Sequence, residues 1–256
     1  MTVADRILDF DIMGKPEARF LVDTYYQMQD RRLRSQNQVR ALEADDEPHA
    51  FISWLLSQQQ DTEKQIKKWL DGYSRANELS RWARSICGIG PVISAGLLAH
   101  VDVTVPTAGH IWRFAGLDPS VNWEKKQKRP WNARLKVICW HLGESFVKTK
   151  GNAKSFYGPL YDQRRAYEEA RNDRGENAVA AEAGLTRVGK TTTAHKAYAA
   201  GKLPAGQLHA RAKRWAVKLF LSHYHEVGYE LETGEKPPKP WSLENGHVHK
   251  IEPPPS

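Results

Sequence analysis

The stretch Trp82–Pro119 reads WARSICGIGPVISAGLLAHVDVTVPTAGHIWRFAGLDP and decides the fold. At its centre Gly88-Ile89-Gly90-Pro91 interrupts an apolar helical pattern that continues on both sides. Two glycines permit a tight turn and a close backbone approach. Pro91 suits the first position of a new helix, where its missing N–H costs nothing. Gly90, standing before a proline, is pushed out of the α region and stays in the turn. The pattern is helix, short glycine hairpin, helix. Unpaired amides at the start of the second helix are suited to an anion. Such a hairpin grips a nucleic-acid phosphate without reading sequence; the same letters also describe a plain packing joint between two helices.

Further along this stretch, Thr107 is placed to cap a short helix holding Ile111 and Phe114, ended by Gly116. After Asp118-Pro119 comes the most basic loop of the chain: Lys125, Lys126, Lys128 and Arg129, interleaved with Trp123 and Trp131. Cations beside exposed aromatics suit a strand whose phosphates are held and whose bases stack. The alternative is two core tryptophans under a solvated loop. Asn132 is expected to cap a helix with Leu135, Ile138, Leu142 and Phe146 on one face. Another helix follows to about Arg174, with Arg164, Arg165 and Arg171 exposed and Pro159 either starting or kinking it. Residues 175–206 shift to Ala, Gly and Thr with scattered lysine and read as an inserted surface excursion, partly helical and mobile. A final helix, Gln207 to Tyr229, turns Leu208, Trp215, Leu219 and Phe220 inward and loads Arg211, Lys213, Arg214 and Lys218 outward. Beyond Gly234 a proline-rich tail (KPPKPW, then EPPPS) is expected to be extended and poorly ordered.

Before the central stretch, Lys15–Ala44 reads as one long helix. Leu21, Tyr25, Met28, Arg32, Ser35, Val39 and Leu42 form a coiled-coil seam with polar interruptions. Asp45-Asp46-Glu47-Pro48 breaks it, and a second helix runs from His49 to Tyr73 with Phe51, Leu55, Ile66, Trp69 and Leu70 on its apolar side. Residues 72–76 read as a joint. Two long helices across a four-residue turn predict an antiparallel hairpin. Its impure seam leaves two options, closure within the chain or pairing with a second copy. No alternating strand pattern appears, so the expected fold is all-α. The expected organisation is a helical hairpin over 1–73, a helical domain over 74–230, and a tail over 231–256.

Composition narrows the partners. The 256 residues carry 38 Lys and Arg against 30 Asp and Glu, a net charge of +8, and the pI is near 9.4. That balance favours polyanions, DNA or structured RNA. No apolar run approaches the roughly 18 residues that would cross a bilayer. The start, MTVADRILDFD, does not resemble a secretory signal, so a cytoplasmic location is expected. Cys87 and Cys139 read as buried thiols in a reducing compartment. The pairs His223/His225 and His247/His249 have a spacing poorly suited to a shared metal, and no metal site is expected. Gly184 to Thr191 (GLTRVGKT) matches the phosphate-loop expression letter for letter. That mechanism needs a buried strand before the loop, whereas residues 176–183 have a helical composition; nucleotide binding is not expected there. Arg187, Lys190 and Lys196 would instead extend a basic surface.

The order of parts resembles a known family. A long helical hairpin, then SICGIGPVISAGLLAHVD, then HIWRFAGLDPSV is similar to the C-terminal transposase-20 domain and coiled coil of bridge-RNA-guided insertion-sequence transposases, over roughly Phe20 to Gly228. Gly88–Pro91 and Ala115–Pro119 are its most specific blocks. The resemblance implies nucleic-acid binding and DNA recombination. Members of that family also carry a RuvC-like nuclease domain with acidic metal ligands, and a serine nucleophile in a Ser-Gly context after the second block. Nineteen residues precede Phe20, where the resemblance begins, too few for that domain, and Val121–Trp131 contains no serine; Ser120 is the nearest hydroxyl. Catalysis by the chain alone is therefore not expected, and Mg2+ enters only with a separate RuvC-like partner. The candidate contacts are the backbone at Gly88, Ile89, Gly90 and Val92, with Trp123, Lys125, Lys126, Lys128, Arg129, Arg134, Arg211 and Arg214. The rival functions are an active recombinase using Ser120, and a helical scaffold whose charge serves solubility or an acidic protein.

Overall fold

A computed structural model describes residues 13–238 and 250–255 of the chain. Among them are ten α-helices and no strand, as the sequence leads one to expect. Helix α1 (Lys15–Ala44) and α2 (Ala50–Ala76) form the antiparallel hairpin. Its seam is closed within the chain: Tyr25 and Val39 are buried, Leu21 and Met28 pack on the main core, and Arg32 Nε reaches Glu63 Oε2 of α2 at 2.5 Å. The polar interruption at Arg32 thus has a partner within the chain, on α2. Phe51 and Leu55, expected inward, instead stand out beside Trp54 near the hairpin tip, Phe51 at 90% exposure.

The joint expected at 72–76 is helical, and the break comes at Asn77. Its side chain accepts from Ser80 N at 3.1 Å and starts α3 (Glu78–Ser85). The hairpin that follows leads into α4 (Pro91–His100), apolar all round and buried accordingly: Val92, Ala95, Leu97 and Ala99 are all core. The hairpin helices α1 and α2 pack on it together with α6 (Ala133–Lys148), while α5 (Ala108–Phe114), α6 and α7 (Tyr157–Asp173) pack on the long α10 (Ala205–Thr233). Asn132 caps α6 by accepting from Arg134 N and Leu135 N at 3.0 Å each, and Leu135, Ile138, Leu142 and Phe146 all point inward. Pro159 sits in the first turn of α7 and starts rather than kinks it. Val22, Ile66, Leu70 and Tyr73 belong to the same core as α4, α6 and α10, so the base of the first hairpin is built into the main helical body.

Residues 175–206 form α8 (Ala178–Leu185) and α9 (Thr193–Ala199) around a small core of Ala181, Leu203 and Leu208 with Tyr198 against it. Buried Asn172 fastens this unit by accepting from Leu203 N at 2.8 Å and donating to Leu203 O at 3.1 Å. Asn177 Nδ2 donates to the same Asn172 oxygen at 3.2 Å. The excursion read from composition is a docked helical pair. The phosphate-loop match falls inside it: Gly184 lies in α8, not after a strand, and a Cβ there would come within 2.6 Å of the Tyr198 ring.

The chain end departs from expectation too. Residues 250–255 lie against the core, with Ile251 O 2.8 Å from His223 Nε2, and Pro254 O accepting from Trp82 Nε1 at 3.0 Å. Residues 239–249, with the His247/His249 pair, lie outside the described residues.

Candidate nucleic-acid interface

Gly88 takes φ +96°, a conformation that favours glycine, and its carbonyl accepts from Ser145 Oγ at 2.5 Å. A Cβ at Gly88 would stand 2.9 Å from Ser145 Oγ and 3.0 Å from Thr149 Oγ1. This glycine is required by packing against α6. Ile89 and Val92 are core side chains, and the Ile89 amide already donates to Ile86 O at 3.0 Å, so of the two only the Val92 amide is open. Gly90 differs: nothing lies within 4 Å of a Cβ built there. The amides of Gly90, Val92 and Ile93 find no backbone acceptor among the described residues. The hairpin therefore combines an internal packing joint with an open helix start.

The basic loop is set at the other end of α6. Asn132 N donates to Phe114 O at 2.8 Å, tying the loop's end to α5. Lys125, Lys126, Lys128 and Arg129 are all exposed, and among the described residues none pairs with a carboxylate. Trp123 and Trp131 are half-buried, not exposed: they meet edge to face at 5.8 Å, and Trp123 Nε1 donates to Gln127 O at 2.9 Å. Arg129 lies 5.7 Å from the Trp123 ring centre, and Lys136 lies 4.2 Å from that of Trp131. The tryptophans staple the loop and carry its cations instead of forming an open stacking platform.

Lys136 also links the loop to α10. Its pKa is lowered first by partial burial, then by the neighbouring charges of Arg214 and Arg129. Arg214, in turn, is lowered by partial desolvation and by Arg211. Arg211, Arg214 and Lys218 share one face of α10 by their spacing. Lys218 lies 4.2 Å from the Trp112 ring centre. Its pKa is lowered by desolvation and by Arg164, against the opposing pull of Asp118. Loop and α10, separate patches in the sequence, are one surface joined by Lys136. Lys136 has no signal of its own in the sequence, and Lys218 stands there only as one of the cations of the last helix; their place in the belt comes from packing between helices distant in the chain.

No family model, curated protein or solved structure matches the chain. The site therefore rests on its own geometry, and two candidates move away from it. Arg134 is tied to Asp23 of α1. Arg211 turns inward, donating to Asn177 Oδ1 at 2.8 Å and lying 3.7 Å from the buried Glu168 carboxylate, which Arg164 also holds. The hairpin and the belt are not brought together. Lys136 and Ser145 are nine residues apart on α6, about 14 Å of rise and roughly half a turn of azimuth. They mark opposite faces as well as different ends.

Ser120 is exposed, and both its hydroxyl and its amide donate to Asp118 Oδ1, at 2.7 and 2.9 Å. Asp102 and Thr104 make the same local turn at 2.7 and 3.0 Å. The Ser120 hydroxyl and amide hold the Asp118 carboxyl below the usual range, which makes it a weak base for activating that hydroxyl. Ser85 donates to Trp82 O within α3, and buried Ser94 of α4 bonds Ser80 of α3. Among the described residues no group of three or more His, Cys, Asp and Glu is placed to hold a metal. His223 is spent on Tyr157 Oη and Ile251 O, and His225 on Val105 O. Cys139 is buried, its thiol pushed up to about 12, while Cys87 is only half-buried. No described helix is long and apolar enough to cross a membrane.

Proposed function

We propose that this chain binds nucleic acid, DNA foremost, by its phosphate backbone, through the belt formed by the 125–129 loop, Lys136 and the outer face of α10. The observation that carries this is the set of exposed Lys125, Lys126, Lys128 and Arg129, none paired with a carboxylate among the described residues, joined to Lys136 through the Trp123–Trp131 pair. Like charges held together cost stability, and a polyanion relieves that cost while releasing its own counterions. Cations laid against tryptophan rings are held in fixed positions. The resemblance of Gly88–Pro91 and Ala115–Pro119 to the transposase-20 domain supports a role derived from a transposase or beside one. A RuvC-like partner and its Mg2+ belong to that same resemblance. The open amides after Gly90 face a different side, so a single straight duplex on the belt does not require them.

The test is anisotropy of a labelled 20-base-pair duplex across a salt series. With about five phosphates neutralised, log affinity against log salt falls with a slope near −4 to −5. The Lys136→Ala/Arg214→Ala double variant is expected to bring the slope about two units closer to zero. A slope near zero for the native chain overturns the proposal and favours a scaffold whose charge serves solubility.

A further inference from the structure

Beside the belt, α6 carries an aromatic that neither the core nor the loop uses. Trp140 is 54% exposed, and Val137, one turn before it, is 49% exposed. The indole is held in place: His141 meets it edge-on at 4.9 Å, and Lys213 Nζ lies 5.4 Å from the ring centre. Lys213 is itself anchored by an ion pair with Glu144. Lys136 lies one turn before Trp140 on the same helix, and Arg214 of α10 is the cation crowding Lys136. A second exposed ring, Tyr167 on α7, stands between Arg164 and Arg171, at 4.9 and 5.7 Å from their guanidinium carbons. The flat, exposed rings are thus flanked by cations. In a regular duplex the bases are stacked on one another, so only its phosphates meet such a surface. An unpaired strand can lay a base on the indole while the neighbouring cations take the adjoining phosphates.

Resting on the phosphate-binding reading above, we propose that Trp140 is a base-stacking platform and that the belt takes an unpaired nucleic-acid strand in preference to a duplex. Stacking on one aromatic side chain corresponds to about 5- to 150-fold in affinity. The phosphate-binding reading alone predicts no such gain, because every polyanion of equal charge would bind alike.

Three probes of twelve nucleotides separate the two: oligo-dT, an abasic oligomer with the same phosphates, and a duplex. Oligo-dT is expected to bind at least fivefold tighter than the abasic oligomer and tighter than the duplex, quenching tryptophan fluorescence as it does so. Trp140→Ala, a change at an exposed position, is expected to remove the dT advantage and most of the quenching while leaving abasic affinity intact. Equal affinity for dT and abasic oligomers overturns the platform and leaves the electrostatic reading standing. A Trp140→Ala loss that is equal for both probes also overturns it, because the ring would then only support the cations. Binding of none of the three overturns the proposed function itself.

Discussion

Gly88 and Gly90 look interchangeable in the sequence, and the structure gives them different work. Gly88 needs its positive φ and lacks room for a methyl group between Ser145 and Thr149. Gly88→Ala is expected to cost about 1–3 kcal/mol from backbone strain alone, with crowding added to it. Gly90 has φ −93° and ψ 180°, extended values that alanine adopts freely before a proline, with open space around it. Gly90→Ala is therefore expected to be neutral or to stabilise by up to about 1 kcal/mol through the unfolded chain. Urea titration of both variants checks the contrast. The same pair probes the interface, because the belt proposal expects Gly90→Ala to keep duplex affinity unchanged. A fall in affinity at unchanged stability would show that the open amides hold phosphate after all.

At the scale of the element, periodicity was the reliable guide. The α1 bounds, the Asn132 cap and the buried row from Leu135 to Phe146 were legible because each depends on local spacing. The partners of polar groups were not. Arg32 looked like a flaw in the seam until Glu63 stood opposite, and Arg211 looked like a surface cation until Asn177 and Glu168 drew it in. The 175–206 pair shows the same limit: its alanine-rich composition has no strong apolar face, and much of its attachment is polar, through buried Asn172 and Asn177. Asn172→Ala would leave both Leu203 backbone groups without that partner, each at about 1–3 kcal/mol. Limited proteolysis of this variant is expected to cut first between 175 and 203, with the rest of the body staying resistant. Cleavage no faster than in the native chain would show that the small α8–α9 core holds without the asparagine.

On the scale of the whole molecule, the belt has a counterpart in buried and half-buried histidines that set the response to acid. His100 lies at 6% exposure, and its pKa is lowered to about 4, by burial first and Arg19 second. His141, His209, His223 and His225 are also lowered, each with desolvation as the leading cause. The contacts of His223 suit the neutral ring: one nitrogen faces Tyr157 Oη and the other Ile251 O, so it links α7 and α10 to the chain end. An unfolded histidine takes its proton near pH 6.5, before these folded ones do. Between that pH and the folded values the unfolded state binds more protons, so stability rises with pH across the window. Full stability is therefore expected above about pH 6.5, with loss setting in as the pH falls toward 4. The lowered carboxyls of Asp102, Asp118 and Glu144 add a further loss only at still lower pH. Thermal unfolding at pH 7.5, 6, 5 and 4.5 is expected to show Tm dropping through the histidine window, with carboxylates contributing only at the lowest point. A Tm unchanged from pH 7.5 to 4.5 would mean that these rings accept protons where they stand. His223→Gln separates this ring from the other four. Its amide can keep one of the two contacts without titrating, so the variant starts from a lower Tm and loses less of it between pH 7.5 and 5.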